Sequence, residues 1–224
     1  NIAINPKDPH SKTLNSFADW MPYHYFASDF YNGGTGYYMG SIIFSKYKIL
    51  DSGKVKFRSP LSESLIYADV QVGDSALRIY TTHMQSFQFK PSDFAAIQKL
   101  KNQDDGALEA SEITFEKMVN AFGYRGGQAD TIRNELDKCK RPFVITGDFN
   151  DVPNSYTYFK VKGNLQDAFL KSSFGIGRTF NSISPTLRID YIMPDNHFNI
   201  QQFGMIDEGL SDHHLLVTDI SLKK

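Results

Sequence analysis

Apolar and polar positions alternate along several short stretches of this chain, each bounded by glycine, proline or polar turn residues. "GSIIFSKYKIL", "SLIYADVQV", "LRIYTTHM", "PFVITGDF", "LRIDYIM" and "HLLVTDISL" carry this pattern and predict β-strands. It is clearest in the second, where Ile66, Ala68, Val70 and Val72 share one face and Leu65, Tyr67, Asp69 and Gln71 the other. Gly73, Asp74 and Ser75 separate that stretch from the next strand pattern, which predicts a hairpin and an antiparallel pair.

The period changes in the middle of the chain. Phe115, Met118, Val119 and Phe122 fall at helical spacing, and Ala129, Ile132, Leu136 and Cys139 continue a similar stripe. Two amphipathic helices between Ser111 and Lys140, with both stripes facing the core, are the expectation. Ahead of them, Ser92 after Pro91 is placed to cap a helix carrying Phe94, Ile97 and Leu100, and the polar "KNQDDG" after it reads as an exposed loop. Hairpins, then helices, then further strands predict an α/β or α+β layered domain and not a regular βαβ alternation. No internal repeat or linker divides the chain, so a single domain over residues 1–224 is expected.

Composition narrows this picture only a little. Aromatic residues are plentiful enough, with 18 Phe and 12 Tyr, to fill one sizeable core. Lys plus Arg is 24 against 25 for Asp plus Glu, so charge alone does not mark a duplex-binding surface. A single cysteine, Cys139, excludes an internal disulfide framework. No apolar run approaches the ~18 residues of a membrane span, and neither compartment nor oligomeric state can be read from the chain.

Four polar clusters lie at or beside predicted strand ends: "TTHMQS" with His83, "GDFND" with Asp148 and Asn150, "RIDYI" with Asp190, and "SDHH" with Asp212, His213 and His214. Singly, each has a structural explanation. His83 fits a hydrogen-bonded core histidine, and Asp148 with Asn150 fits an Asx turn. "SDHH" fits a helix cap, although the run after it reads as a strand. Asp190 is harder to dismiss, because a carboxylate flanked by Ile189 and Tyr191 loses hydration unless a partner repays it.

Jointly the clusters supply what hydrolysis of a phosphoester needs. A carboxylate can hold Mg²⁺ or orient water, an amide can fix the phosphate or that carboxylate, and histidines can donate to non-bridging oxygens. Asp190 and His213 would form an orienting pair. Other chemistries fit less well: the chain has no G-x-S-x-G elbow, no G-x-x-x-x-G-K-[ST] loop and no H-E-x-x-H, and Cys139 has no assigned base. "GIGRTF", Gly175 to Phe180, reads as a loop, and Asp151 and Pro153 as shaping the exit turn after "GDFN".

"TTHMQS", "VITGDFNDVPNS", "TLRIDYIM" and "LSDHHLLVTDI", in that order, closely resemble the endonuclease/exonuclease/phosphatase superfamily. "GSIIFSKYKI" is similar to a further strand of that family and "QADTIRNEL" to the helix before its G-D-F-N strand, so the resemblance covers most of the chain. It implies a four-layered α/β sandwich of two mainly antiparallel sheets, face to face and flanked by helices. It also implies roles: Asp148 acting on the attacking water or the leaving group, Asn150 holding the phosphate and that aspartate, His213 contacting the phosphate, Asp190 orienting His213, and His83 matching a strand histidine of the nuclease and lipase branches. Asp212 matches a metal-site carboxylate, with Asp148 and Asn150 as second-site ligands, and the implied ion is Mg²⁺, with Mn²⁺ as the alternative. Thr81 and Met84 replace the commoner Asn and Leu around His83.

The front of the chain departs from that family's pattern. Members open with a strand ending in an asparagine motif and another ending in Gln-Glu, whose glutamate is the principal Mg²⁺ ligand. Neither precedes "DWMPYHYFASDFYNGGTGYYMG". The expectation is therefore an N-terminally incomplete domain, lacking strands of one sheet, that binds Mg²⁺ weakly and turns over poorly by itself. A small or lipid phosphoester is the expected substrate, with nucleic acid as the alternative, and a non-catalytic binding domain of the same fold as the reading from another class. Ser86 to Met118 is longer than the link expected there, which suits either a loop lining the site or a packing helix with a solvated turn.

Overall fold

The computed structural model describes residues 2–5, 16–58, 63–102, 107–181 and 187–223. The strands are β1 (Ile2–Ile4), β2 (Tyr23–Asn32), β3 (Tyr37–Ser45), β4 (Ile49–Lys56), β5 (Ser64–Val72), β6 (Ser75–His83), β7 (Phe143–Asp148), β8 (Asp190–Pro194), β9 (Phe198–Ile206) and β10 (Leu215–Leu222). The helices are α1 (Pro91–Asn102), α2 (Ala107–Lys138), α3 (Tyr156–Lys162) and α4 (Ala168–Ser172).

A five-stranded sheet in the order β4-β5-β6-β7-β8 forms the centre. β5 and β6 are the expected hairpin, antiparallel from Val72↔Ser75 to Leu65↔Thr82. β6 and β7 are parallel, which requires a crossover, and α1 and α2 provide it. The second layer consists of two antiparallel pieces: the three-stranded β1-β3-β2 and the ribbon β10-β9. β3 packs against β5 and β6, β10 against β8, and α4 against β9 and β8. This is a mixed α/β sandwich. "GSIIFSKYKIL" is divided between β3 and β4, and β1, β2 and β9 are strands beyond the expected set.

β5 is buried on both faces because it feeds two cores. Ile66, Ala68 and Val70 meet Ala27 and Ile43 between the sheets. Leu65 joins Tyr80, Ile145, Tyr191 and Met193 under the helices, where Ala129, Ile132 and Leu136 of α2 and Tyr158 and Val161 of α3 close the layer. Asp69 survives in the strand interior because Arg78 grips it with two bonds of 2.6 and 2.8 Å and Arg141 adds a third at 2.9 Å. A buried carboxylate keeps its charge only with such partners.

Residues 107–138 form one helix of 32 residues instead of two. Gly123, Gly126 and Gly127 lie inside it; a helical glycine costs about 1 kcal/mol relative to alanine but does not by itself end a helix. The helix is ~48 Å long at 1.5 Å per residue, longer than the ~30 Å of a nine-residue strand. Phe115, Val119 and Phe122 were expected in the core and are instead 65, 51 and 45% exposed, and the helix residues that join the core under the sheet are Ala129, Ile132 and Leu136. α1 packs against α2, so the segment after Ser86 is mainly helical. Of "KNQDDG", Lys101 and Asn102 end α1, and 103–106 lie outside the described residues.

Candidate active site

The sheet register gathers the first three residues of the site. Across β6 and β7 His83 pairs with Asp148, and across β7 and β8 Asp148 pairs with Asp190. Three strands thus place three polar side chains in one row at the sheet edge. β7 runs through Gly147 to Asp148. Gly147 lies inside the strand at φ +141°, and a Cβ there would stand 2.0 Å from the Thr82 carbonyl oxygen. Glycine therefore permits β6 and β7 to close up where the row forms.

Asn150 follows with φ +50°, a left-handed conformation asparagine tolerates. Its backbone N–H donates to Asp148 Oδ1 at 2.7 Å, and its side-chain amide donates to Asp148 Oδ2 at 3.1 Å and to the Met84 carbonyl at 2.9 Å. The Asx turn is real, and it also pins the aspartate. Burial and the facing Asp190 carboxylate push the Asp148 pKa up to about 6, while His83, the Asn150 N–H and His213 pull it back.

Two imidazoles face Asp148 Oδ2 through Nε2, His83 at 3.7 Å and His213 at 4.0 Å. His213 arrives from outside the central sheet, through an isolated bridge to Phe180. Its Nδ1 lies 2.9 Å from Asp190 Oδ2, and since a carboxylate accepts, Nδ1 carries the proton and Nε2 is turned to the cleft. That hydrogen bond holds His213 above the usual histidine range; burial opposes it, and the charges of Asp190, Asp148 and Asp212 reinforce it. The cleft has a volume of about 460 Å³, and Ser41, Thr81 and Ser211 line it beside His83, Asp148, Asp190 and His213.

Sequence reasoning missed several supporting residues. Glu63 Oε1 lies 3.6 Å from His83 Nδ1, and its other oxygen accepts from Gln128 Nε2 of α2 at 2.9 Å. Gln128 also accepts the Gln85 N–H at 2.9 Å. Hairpin register was the available signal: counted back from the two-residue loop, Ser64 falls opposite His83, with Glu63 next to it. Asp151 does more than shape the exit turn. It is buried against Arg125 of α2 at 3.2 Å, and Arg125 also donates to the Gln85 carbonyl at 2.8 Å. Burial lowers the Arg125 pKa while Asp151 opposes that shift. One helix therefore braces both the loop after His83 and the loop after Asp148.

Asp212 is exposed at the rim, its side chain 3.5 Å from the Ser211 hydroxyl and its carbonyl accepting from the Asn181 N–H. His214 turns away, toward Asn181 and Asp207. Among the described residues the group with metal-ligand spacing is Asp148, Asp190 and His213, whose donor atoms lie within 4.8 Å of one another. Its chemistry fits a hard divalent cation in part. The Asp190 carboxylate raises the cost of ionising Asp148, which a shared positive charge would offset, and Mg²⁺ takes a few carboxylate oxygens while keeping several waters. Asp212 stands outside that group.

Solved structures share this mixed α/β sandwich fold. An endonuclease/exonuclease/phosphatase from Beutenbergia cavernae superposes with a TM-score of 0.68 at 19% identity, covering 99% of this chain and 61% of that one. The chain thus spans less than two thirds of that relative's length. A mannosyl-6-phosphatase of Bacteroides thetaiotaomicron gives 0.56 at 19% identity, over 93% of this chain and 81% of that one. Sphingomyelinase C from Streptomyces griseocarneus gives 0.54 at 16%, over 97% and 81%. None of the curated proteins compared matches the chain. The Endonuclease/Exonuclease/phosphatase family model matches residues 5–213, and the chain belongs to that family.

Proposed function

We propose that residues 1–224 belong to a single domain that hydrolyses phosphoester bonds with a divalent cation, Mg²⁺ or alternatively Mn²⁺, acting on small or lipid phosphoesters, this chain by itself turning over poorly. The observation that carries this reading is Asp148: a partly buried carboxylate with a pKa pushed up to about 6, flanked by two imidazole Nε2 atoms. A pKa near the working pH suits a group that takes up and releases a proton. Phosphoesterases among the solved structures of this fold support the reaction class.

In this mechanism Asp148 accepts a proton from the water that attacks phosphorus. The Asn150 amide fixes the attacking geometry through its bond to Asp148 Oδ2. His213, kept protonated by Asp190, donates to a non-bridging oxygen as negative charge builds there. The bond to the leaving oxygen breaks, and His83 supplies its proton. Asp148 and Asp190 would hold the cation, which when bound adds positive charge beside the phosphoryl oxygens.

The test measures release from a phosphomonoester, a choline-bearing phosphodiester and plasmid DNA, in Mg²⁺ and after chelation, for the wild type and Asp148→Ala. Turnover of one of the first two that needs the cation and falls at least ~10²-fold in the variant is expected. Faster cleavage of the DNA would overturn the substrate assignment. Turnover indifferent to both chelation and Asp148→Ala would overturn the mechanism.

A further inference from the structure

The pair on which this mechanism leans is not fixed by any sheet ladder. Asp190 begins β8 in the central sheet, whereas His213 precedes β10, which belongs to the separate two-stranded ribbon. Yet Asp190 Oδ2 and His213 Nδ1 meet at 2.9 Å. Something between the two sheets must set that distance.

Thr179, in the loop "GIGRTF", lies between them and is fully buried. Its Oγ1 accepts the backbone N–H groups of Ile189 at 3.0 Å and Asp190 at 3.1 Å. Its own N–H donates to the Leu187 carbonyl at 2.9 Å, and its carbonyl accepts the His214 N–H at 2.8 Å. Thr179 is thus bonded to the residue bearing the carboxylate and to the residue after the imidazole. The next two residues continue the strap: the Phe180 ring packs 4.7 Å from the His213 ring, and the Asn181 N–H donates to the Asp212 carbonyl at 2.8 Å.

We infer that Thr179 is a positioning residue for the His213–Asp190 pair, its hydroxyl locating the backbone of Asp190 while its carbonyl locates the backbone after His213. The inference rests on the proposed role of that pair. A threonine suits the position because one oxygen must accept two backbone donors in a site closed to water, and the β-branched side chain restricts χ1 so that the oxygen stays aimed. Valine keeps the shape and removes the acceptor; serine keeps the acceptor and removes only a methyl group.

The experiment compares Thr179→Val and Thr179→Ser with the wild type, reading kcat and KM separately and recording the His213 Nδ1–H proton resonance, which needs no turnover. In Thr179→Val kcat should fall by about 10- to 100-fold, the range for outer partners that orient a reacting group. KM should move by less than about threefold, a residue that touches no substrate altering the chemical step and not uniform binding. The downfield resonance should shift or broaden away in that variant, and Thr179→Ser should restore both signals. A folded Thr179→Val with wild-type kcat and an unchanged resonance would overturn the inference. If the valine variant does not fold, Thr179→Cys offers a weaker acceptor of similar size; an intermediate kcat and a weakened resonance would support the role, and wild-type values would refute it. Should His213→Ala itself leave turnover intact, the proposed role of the pair fails, while the resonance still reports whether Thr179 sets the geometry.

Discussion

The two histidines beside Asp148 are held in unequal ways. His213 meets its carboxylate at 2.9 Å, a full hydrogen bond, and its proton affinity rises as a result. His83 stands 3.6 Å from Glu63, beyond hydrogen-bond length, and its buried Nδ1 has no such partner among the described residues. Glu63 is itself tethered by Gln128, whereas Asp190 is located through the Thr179 hydroxyl. A tightly held imidazolium at His213 is prepared to stabilise charge, whereas the His83 ring is fixed less firmly by its carboxylate. The difference teaches that the two sides of the cleft are built unequally, which suits the separate roles proposed for the two histidines.

Several variants can break or sharpen that comparison. His213→Ala should cost the most, about 10³-fold in kcat, as expected when a preorganised donor to developing charge is lost. His83→Ala should cost about 10²-fold, the scale of general acid–base assistance, and a smaller loss for His213→Ala than for His83→Ala would reverse the assignment. At the carboxylates, Asp190→Asn should lower kcat about 100-fold and Glu63→Gln less than ~10-fold, because a second partner matters in proportion to how firmly it orients the ring. Steady-state kinetics on one phosphodiester would rank all four.

The same asymmetry has a signature in stability. Asp148 has a folded pKa of about 6 against an ordinary value of 3.8, so between those limits the folded chain binds more protons than the unfolded one. Cation-free stability should therefore be greatest below about pH 4 for this group and decline as pH rises through 6. The loss is at most ~3 kcal/mol for a shift of about two units. Urea melts at pH 5 and pH 7.5 in a chelator, compared between wild type and Asp148→Asn, would isolate this contribution, and equal pH dependence in both proteins would contradict it.

Much of the site was legible because strand ends are where a sheet can present polar groups. His83, Asp148 and Asp190 each follow or begin an apolar run, and the parallel and antiparallel registers then align them in one row. That Asp190 needs a partner followed from the cost of an isolated carboxylate in a strand, and His213 as that partner came from reading the clusters together and from the family resemblance. What stayed hidden depends on distance along the chain. Glu63 resembles any surface acid until the hairpin register is counted, and Gln128 and Arg125 reach the site only because α2 lies across the sheet. Thr179 sits in a loop whose pattern carries no period at all. The exposure of Phe115, Val119 and Phe122 was invisible for the opposite reason: they keep a helical stripe although that face is not buried.

Asp148 is the point on which both histidines converge, and its environment costs the fold stability while suiting proton transfer. The most direct measurement takes Asp148→Asn and determines, on one preparation at pH 7.5, its phosphoester turnover in Mg²⁺ and its melting temperature in a chelator. Turnover should fall at least ~10²-fold while the melting temperature rises above that of the wild type. Retained turnover, or a lower melting temperature in a correctly folded protein, would contradict the account.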